Sequence, residues 1–562
     1  MVQKVLSMFN REISGLHEAA YLLGGCALAS QLLALFRDRI FALTFGASRS
    51  LDIYYASFRI PDLIFVSIAS LVSISVLIPF FIEKFKEGDA NGKRFVDASF
   101  SIFFVAIVAV SAVAFVAIPY LIPYIFPGFV SELVKENLIT LTRIMLLSPI
   151  FLGISNFLAS ITQMYNRFLI YALSPLLYNI GIIIGVIFFY PSFGLVGLAW
   201  GVVLGAFLHF LIQVPFIIEK RLFPILRFPL DFKSVRNLSL LSLPRTLALS
   251  ANQIATFFLV GYASLMSAGS IAVFSFAWNL QSVPLSIVGA SYASAAFPAL
   301  SRFISQGSKD KFLDQMITSA RHILFWSIPM MALFVVLRAQ IVRTILGAGN
   351  FSWADTRLTA ACLAIFIMSA VPQSLLLLFI RGYYALGKTW KPLIINIVSS
   401  VSLVFLGYLF IQLFHANTVF SYFIETLFKV EDIPGSIVLV LPLAYSLGTF
   451  LNALVHWVAF QTEFKTFSRP VLKTFLASFS AAVIMGYVAH HFLDVFDNVF
   501  DINTLVGIFL QGFCSGVLGI IAGVLVLVVM NNEEIVEIWK AFHQKIWKAK
   551  IVGVDQTNSA IF

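Results

Sequence analysis

"YNRFLIYALSPLLYNIG", residues 165–181, and "YYALGKTWKPLIINIV", residues 383–398, carry the same plan. Each has a basic loop, Arg167 in one and Lys388 with Lys391 in the other. Each then places Pro-Leu-x-x-Asn-Ile at the head of an apolar run, as Pro175/Asn179 and Pro392/Asn396, 217 residues apart. Proline suits a first helical turn, where its missing N–H costs nothing. A second pair of apolar runs matches more loosely, with a proline near each end: Pro61 with Pro79, and Pro284 with Pro298. Chance in a low-diversity alphabet is the alternative to a true repeat. If the repeat is real, the displacement is six membrane spans, so the copies keep one orientation. Parallel halves of this kind enclose a central path and rock about it.

The reading as spans rests on composition. The chain has 562 residues, 60% hydrophobic and 11% charged, with a mean hydropathy of +0.95. Soluble domains are nearer a quarter charged, so this is a polytopic membrane protein. About twenty apolar residues cross a bilayer. Fourteen such segments can be laid out, near 19–36, 53–82, 99–126, 138–164, 168–190, 193–218, 238–264, 269–299, 319–346, 357–385, 391–414, 436–463, 470–492 and 503–530. The segments near 53–82 and 269–299 are long enough to imply tilt or a bend. The first run, from about Ala19, has no small-residue cleavage site and reads as a span, not a signal peptide. Cys26, Cys362 and Cys514 lie far apart in apolar runs and read as small core residues. The organisation predicted is 1–222 and 223–465 as two six-span lobes, 466–532 as two further helices, and 533–562 as a basic amphipathic cytoplasmic tail.

Alternate loops are basic: Lys84, Lys86, Lys93 and Arg94; Arg167; Lys220 to Arg236; Arg302 to Arg321; Arg381 to Lys391; and Lys465 to Lys473. The intervening loops are short or acidic. This positive-inside pattern puts both termini in the cytoplasm. It also explains the net charge of +10 without any nucleic-acid partner.

Residues 35–63, "LFRDRIFALTFGASRSLDIYYASFRIPDL", break the pattern by gathering ions on the basic-poor side. Ions within a membrane are costly, so they mark function by default. Asp52 and Arg59 are seven residues apart, on one helix face, with about 10 Å between them along the axis. Asp62 is within reach of Arg59. Arg37 ends the first span, with Gln31 about two turns deeper, and Arg245 enters the seventh span after Pro244. Arg37, Asp52, Arg59 and Arg245 read as lining a cavity. Arginine's planar fork suits phosphate, so an anionic ligand is predicted. Asp38 reads as neutralising Arg37 or Arg39. Arg39 and Arg49 read as loop residues, and Arg143, Arg338 and Arg343 as snorkelling side chains. No Walker loop, HExxH, CxxC or nucleophile elbow occurs. Asp494, Asp497 and Asp501 could imitate a metal-assisted glycosyltransferase site, but acidic outer loops are the expected background.

The stretch "FRDRIFALTFGAS…LDIYYASFRIPDL" resembles the MurJ/MviN family of lipid II flippases, within the multidrug/oligosaccharidyl-lipid/polysaccharide exporter superfamily. "IFPGF", "LTRIMLLSPIFLGISNFLAS", "NRFLIYALSPLLYNIG", "GLAWGVVLGAF", "GAGNFSWADTRLTAACL" and "IRGYYALGKTWKP" are similar to family blocks in the same order. The resemblance implies an all-α integral membrane fold of fourteen helices, with two six-helix lobes forming a V-shaped cavity and two helices added. It implies that lipid-linked peptidoglycan precursor is turned from inner to outer leaflet by alternating access in the bacterial inner membrane, beside the cell-wall synthesis machinery. It carries essential cavity charges onto Arg37, Asp52 and Arg59. The chain departs from the pattern at Gln31, where the family has arginine, and at Asn279, where a cationic residue is common. It departs again at Phe65 and Ser70, in an uncharged "IFVSIASLV". Arg245 occupies a position often uncharged and is predicted to substitute in part for a missing cavity arginine. The substrate-binding set is thus Arg37, Asp52, Arg59 and Arg245, with Asp38, Gln31 and Asn279 beside them. No cofactor is implied. The drive would come from a coupling ion, membrane potential or product removal. The alternatives are export of another polyprenyl-linked glycan or of a drug and, in a different class, a membrane glycosyltransferase.

Overall fold

A hydrocarbon core offers no water to backbone N–H and C=O groups, so a chain this apolar must satisfy them within helices. The computed structural model describes residues 16–69, 74–230 and 232–537, and among these every regular element is helical. Twelve helices among the described residues are long and apolar enough to cross a membrane, from Asp89–Ile125 to Leu505–Val529. They fall on the third to fourteenth segments read from the sequence.

The first two expected segments are not among those twelve, and the helices that carry them border residues outside those described. The helix Leu16–Phe45 is 30 residues long, but its second half carries Gln31, Arg37, Asp38 and Arg39. The segment near 53–82 is not one long span. It is divided into Arg49–Ser57, Arg59–Ala69 and Ile74–Lys86, with residues 70–73 outside those described. Within the segment expected near 269–299, Pro284 is followed by a π-helical turn at Leu285–Ala290. Proline removes a ladder hydrogen bond, and the wider turn absorbs the misfit. The tail beyond Glu537 lies outside the described residues.

The chain divides into two compact units. One holds the described residues up to Val283, with Val342–Ser369 and Gly387–His456. The other holds Pro284–Ile341, Ala370–Leu386 and the described residues from Trp457. In the first unit, Phe168–Ile184 and Leu195–Leu211 pack glycine to glycine. A Cβ added at Gly201 would stand 2.5 Å from the Cα of Gly185. Close backbone approach of this kind is how helices associate where lipid removes the hydrophobic drive. The fully buried Asp97 pins the loop before the seventh span. It accepts from Lys93, from Arg227 Nε at 3.0 Å and from the Ile225 N–H at 3.0 Å. His209 is a satisfied structural group, with Nδ1 2.7 Å from Ser155 Oγ.

The second unit is built on aromatic packing among Phe312, Phe379, Tyr383, Phe460 and Phe467. Its C-terminal end is latched by Arg321, which donates to Glu534 at 2.7 Å and to Glu533 at 2.5 Å. Thr474 Oγ1 donates to the same Glu534 oxygen at 2.7 Å. The hydrogen bond from Arg321 holds the Glu533 carboxyl below its ordinary 4.5. Burial pushes Glu534 upward, but the bonds from Thr474 and Arg321 outweigh it and leave that carboxyl lowered too.

Two outcomes follow from these contacts. Gly201→Leu should lower the melting temperature in detergent by several degrees, because the clash falls on backbone. Gly486→Ala, whose Cβ would meet only Val336 Cγ2 at 3.5 Å, should leave it unchanged. The latch has depressed carboxyl pKa values, so its contribution is complete above about 4.5 and fades as the pH falls through the lowered folded values. Melting temperature should therefore drop more between pH 7 and pH 4 in the parent protein than in Arg321→Gln.

Candidate functional site

The ions of residues 35–63 sit on three successive helices of the first unit. Arg37 and Phe41 are one turn apart on Leu16–Phe45. Tyr54 and Tyr55 lie on Arg49–Ser57, and Arg59 and Asp62 open Arg59–Ala69. These residues line a cavity of about 340 Å³, closed on its other sides by Tyr178, Gln253, Thr256, Ser275, Trp278 and Asn279.

The two cavity arginines are held differently. Arg37 is fully engaged. Its Nη1 donates to Asn179 Oδ1 at 3.0 Å, and its Nε and Nη2 donate to Asp38 Oδ1 at 3.0 and 2.7 Å. The other oxygen of the buried Asp38 accepts from Asn279 Nδ2 at 2.9 Å. One chain of hydrogen bonds, Asn179–Arg37–Asp38–Asn279, therefore ties three helices and fixes the guanidinium. Arg59 forms no hydrogen bond among the described residues, and its Nε is buried without a partner. Tyr55 Oη and Ser275 Oγ are also buried and unpaired, and both residues line the same cavity. An unpaired buried polar group costs about 1–3 kcal/mol and is rare in native proteins. Three donors from three helices around one cavity form a ready set for an oxygen-rich anion.

Asp52 is placed elsewhere. It lies on Arg49–Ser57, the helix before that of Arg59, and is not among the residues that line the cavity. Its Oδ2 accepts from the Gly269 N–H at 2.7 Å and its Oδ1 from the Ala272 N–H at 3.0 Å. Those groups begin the helix Ser270–Pro284, where a carboxylate satisfies free N–H donors and the positive end of the helix dipole. Asp52 is thus a clasp and not a cavity wall. Arg39 is the other half of that clasp, not a loop residue. Its Nη1 donates to the carbonyls of Thr344 and Ile345, at 2.7 and 3.2 Å, at the C-terminal end of Arg338–Leu346. Between them Asn350 donates its N–H to Leu43 O at 3.0 Å and its Nδ2 to Thr44 O at 2.8 Å. Arg49 starts its helix, 3.7 Å from Asp52 and over the Phe129 ring.

Of the remaining predicted residues, Asn279 lines the cavity. Gln31 does not, and donates at 3.4 Å to Ser282 Oγ. Arg245 lies on the helix Phe232–Ser264, and its side chain is outside the described residues. Sequence reasoning missed the aromatic walls. Tyr55, Arg59 and Asp62 follow one another at helical spacing, which was the available signal for Tyr55. Trp278 and Tyr178 gave none, being ordinary members of apolar runs. Among the described residues no three His, Cys, Asp or Glu side chains converge, and that includes Asp494, Asp497 and Asp501.

A family model described as lipid II flippase MurJ matches residues 41–418. A probable lipid II flippase MurJ of Buchnera aphidicola subsp. Schizaphis graminum is 27% identical over 383 residues, covering 67% of this chain and 74% of that protein. The lipid II flippase MurJ of Burkholderia cenocepacia is 24% identical over 415 residues, covering 72% and 80%. Among solved structures, a lipid II flippase MurJ in an inward closed conformation superposes with a TM-score of 0.70 at 22% identity, over 94% of this chain and all of that one. An inward-facing multidrug resistance MATE family transporter superposes with a TM-score of 0.63 at 17% identity, over 78% and 96%. These superpositions establish a shared fold.

The clasp generates a measurable expectation. Asp52→Asn keeps the shape but leaves one N–H without an acceptor and removes the charge from the helix start. Bonds to a charged acceptor contribute about 1.5–3 kcal/mol, so opening should rise on the order of tenfold or more. A cysteine at Ser275, with Cys26 and Cys514 replaced by alanine, would report this as faster labelling by an impermeant maleimide applied on the clasp side. An unchanged rate would show that Asp52 does not hold that end closed.

Proposed function

The chain belongs to the MurJ family of lipid II flippases, and from that premise we propose that it moves an undecaprenyl-diphosphate-linked peptidoglycan precursor, lipid II, from the inner to the outer leaflet of the bacterial inner membrane. It is a transporter with many helical spans. The observation that carries the cargo class is Arg59, whose Nε is buried without a hydrogen-bond partner in a cavity also lined by Tyr55, Ser275, Asp62 and the hydrogen-bonded Arg37. A planar donor fork in a site of low dielectric is suited to a diphosphate. Positioned Arg37 fixes where the anion sits, and Arg59 completes the coordination when it arrives.

Alternating access then assigns the remaining parts. The basic loops support a cytoplasmic location for both termini, which puts the Asp52–Arg39 clasp at the outer end. With the clasp closed, the cavity would load from inside. Two lobes, 1–222 and 223–465, would rock to expose the headgroup outside while the lipid tail stays in the bilayer. At about 340 Å³ the cavity is at the small end of the range for drug-sized ligands, roughly 300–1,000 Å³. It suits the diphosphate and the sugar next to it, so admitting the whole headgroup requires the lobes to part. Arg245 is assigned a supporting role as a further cation, in place of the arginine that Gln31 lacks. Cell-wall synthesis enzymes are the expected consumers of the flipped precursor.

The test is complementation in cells depleted of their lipid II flippase, with a leaflet-specific assay for the precursor. Arg59→Gln should abolish outer-leaflet appearance of the precursor with expression and melting temperature unchanged, and Arg59→Lys should restore a minor part of it. Arg245→Gln should reduce the rate without abolishing it. Full transport by Arg59→Gln, or failure of the well-expressed parent chain to complement, would overturn the assignment of cargo.

A further inference from the structure

The helix Thr418–Phe428 begins one residue after the span Trp390–Ala416 ends, and it starts where the family model's match stops, at residue 418. It is 11 residues long, about 16 Å at 1.5 Å per residue, and is too short to cross a bilayer. Its placement is fixed at both ends. Asn417 Oδ1 accepts from the N–H groups of Val419 and Phe420 at 3.0 and 3.1 Å, and Lys429 closes the C-terminus in the left-handed region. The chain that follows is clamped by Arg357, which donates to both oxygens of Asp432 at 2.8 Å and also to the Lys429 carbonyl.

One face of the helix packs inward. Ile424 is buried, Glu425 accepts from Ser436 Oγ at 2.5 Å, and Phe420 stacks on Phe410 of the preceding span. The opposite face presents Val419, Tyr422, Phe423 and Leu427, which are 76, 65, 58 and 56% exposed. These follow at i, i+3, i+4 and i+8, with Thr418 and Thr426 beside them. The only charge in the helix, Glu425, is turned inward. A stripe of four large apolar groups with no charge is not a surface built for water. The span it continues is the most lipid-exposed of the set, with only 11% of its membrane window buried by protein. Its outward Phe405 and Tyr408 lead up to the same end.

We propose that Thr418–Phe428 is an interfacial anchor, lying in the membrane–water boundary with Val419, Tyr422, Phe423 and Leu427 in the acyl–headgroup region of the bilayer. The partner is the lipid surface. Continuity with a lipid-facing span fixes the depth of the helix start, and a tyrosine flanked by phenylalanine and leucine suits that boundary. His415 and Lys429, one before each end of the helix and the other after it, are placed to meet headgroup phosphates.

The full chain in vesicles, at about one protein per vesicle, tests this with nitroxide labels in a Cys26→Ala, Cys514→Ala background that keeps the fully buried Cys362. Labels at Tyr422 and Phe423 should collide readily with oxygen and poorly with a water-soluble nickel complex, approaching a label at Phe405. A label at Glu431 should behave oppositely. Water-like behaviour at Tyr422 and Phe423 overturns the proposal. So does protection that arises only in crowded vesicles, which would assign the stripe to a second copy, or only in native membranes, which would assign it to a protein partner. All labelled positions are on the surface, so a correct melting temperature ensures that each outcome reads the anchor and not misfolding.

Discussion

A buried carboxylate seated on two backbone N–H groups organises the ligand-facing end of this molecule. Asp52 and Gly269 are 217 residues apart, the separation that also relates Pro175 to Pro392 and Asn179 to Asn396. The two positions meet directly, one supplying the charge and the other the helix start. Without that contact the N–H groups of Gly269 and Ala272, at the start of Ser270–Pro284, would lose their acceptor. Arg39 performs the complementary task at a helix C-terminus, where carbonyls are free. Helix ends are the places in a membrane protein where backbone polarity is unspent. Spending it across the mouth of the cavity is what allows ions to sit there at all.

The same logic explains which features were legible in the sequence. Twelve of the spans could be read because hydrophobic length alone determines them. The first two segments also carry ions that do structural work: Leu16–Phe45, with Arg37, Asp38 and Arg39, and the run from Arg49 onward. Helical periodicity put Asp52 and Arg59 on one face, whereas the structure sets them on two successive helices that part at Phe58. Periodicity could not say that Asp52 lies outside the cavity lining, because the extent of a cavity is set by tertiary packing. Arg39 was misread as a loop residue for a similar reason. Its partners are carbonyls more than 300 residues away, and no side-chain pattern announces a carbonyl. Tyr178, Trp278 and Gln253 were invisible because a cavity wall of aromatic and amide groups looks like any other part of an apolar run.

The asparagines at the equivalent positions of the repeat show how one motif serves two needs. Asn179 accepts from Arg37 and steadies it against the cavity. Asn396 accepts from Asn452 at 3.1 Å, a neutral contact between helices. The local sequence is the same and the electrostatics are not, because only the first copy faces an arginine.

The strength of the closure is matched to a cycle that must reverse. The clasp consists of two bonds to Asp52, two from Arg39 and two from Asn350. Each contributes about 1–3 kcal/mol net at most, and neighbouring bonds do not add fully. A closed state favoured by several kcal/mol is well populated without ligand. Shifting such an equilibrium nearly completely needs a differential affinity of about 5.5 kcal/mol, which is what the proposed engagement of a diphosphate by Arg59 and its neighbours would have to supply. A hydrophobic seal of the same area would lack this property. Its strength would not depend on where two helix ends sit relative to one carboxylate, and it would open gradually where the clasp opens as a unit.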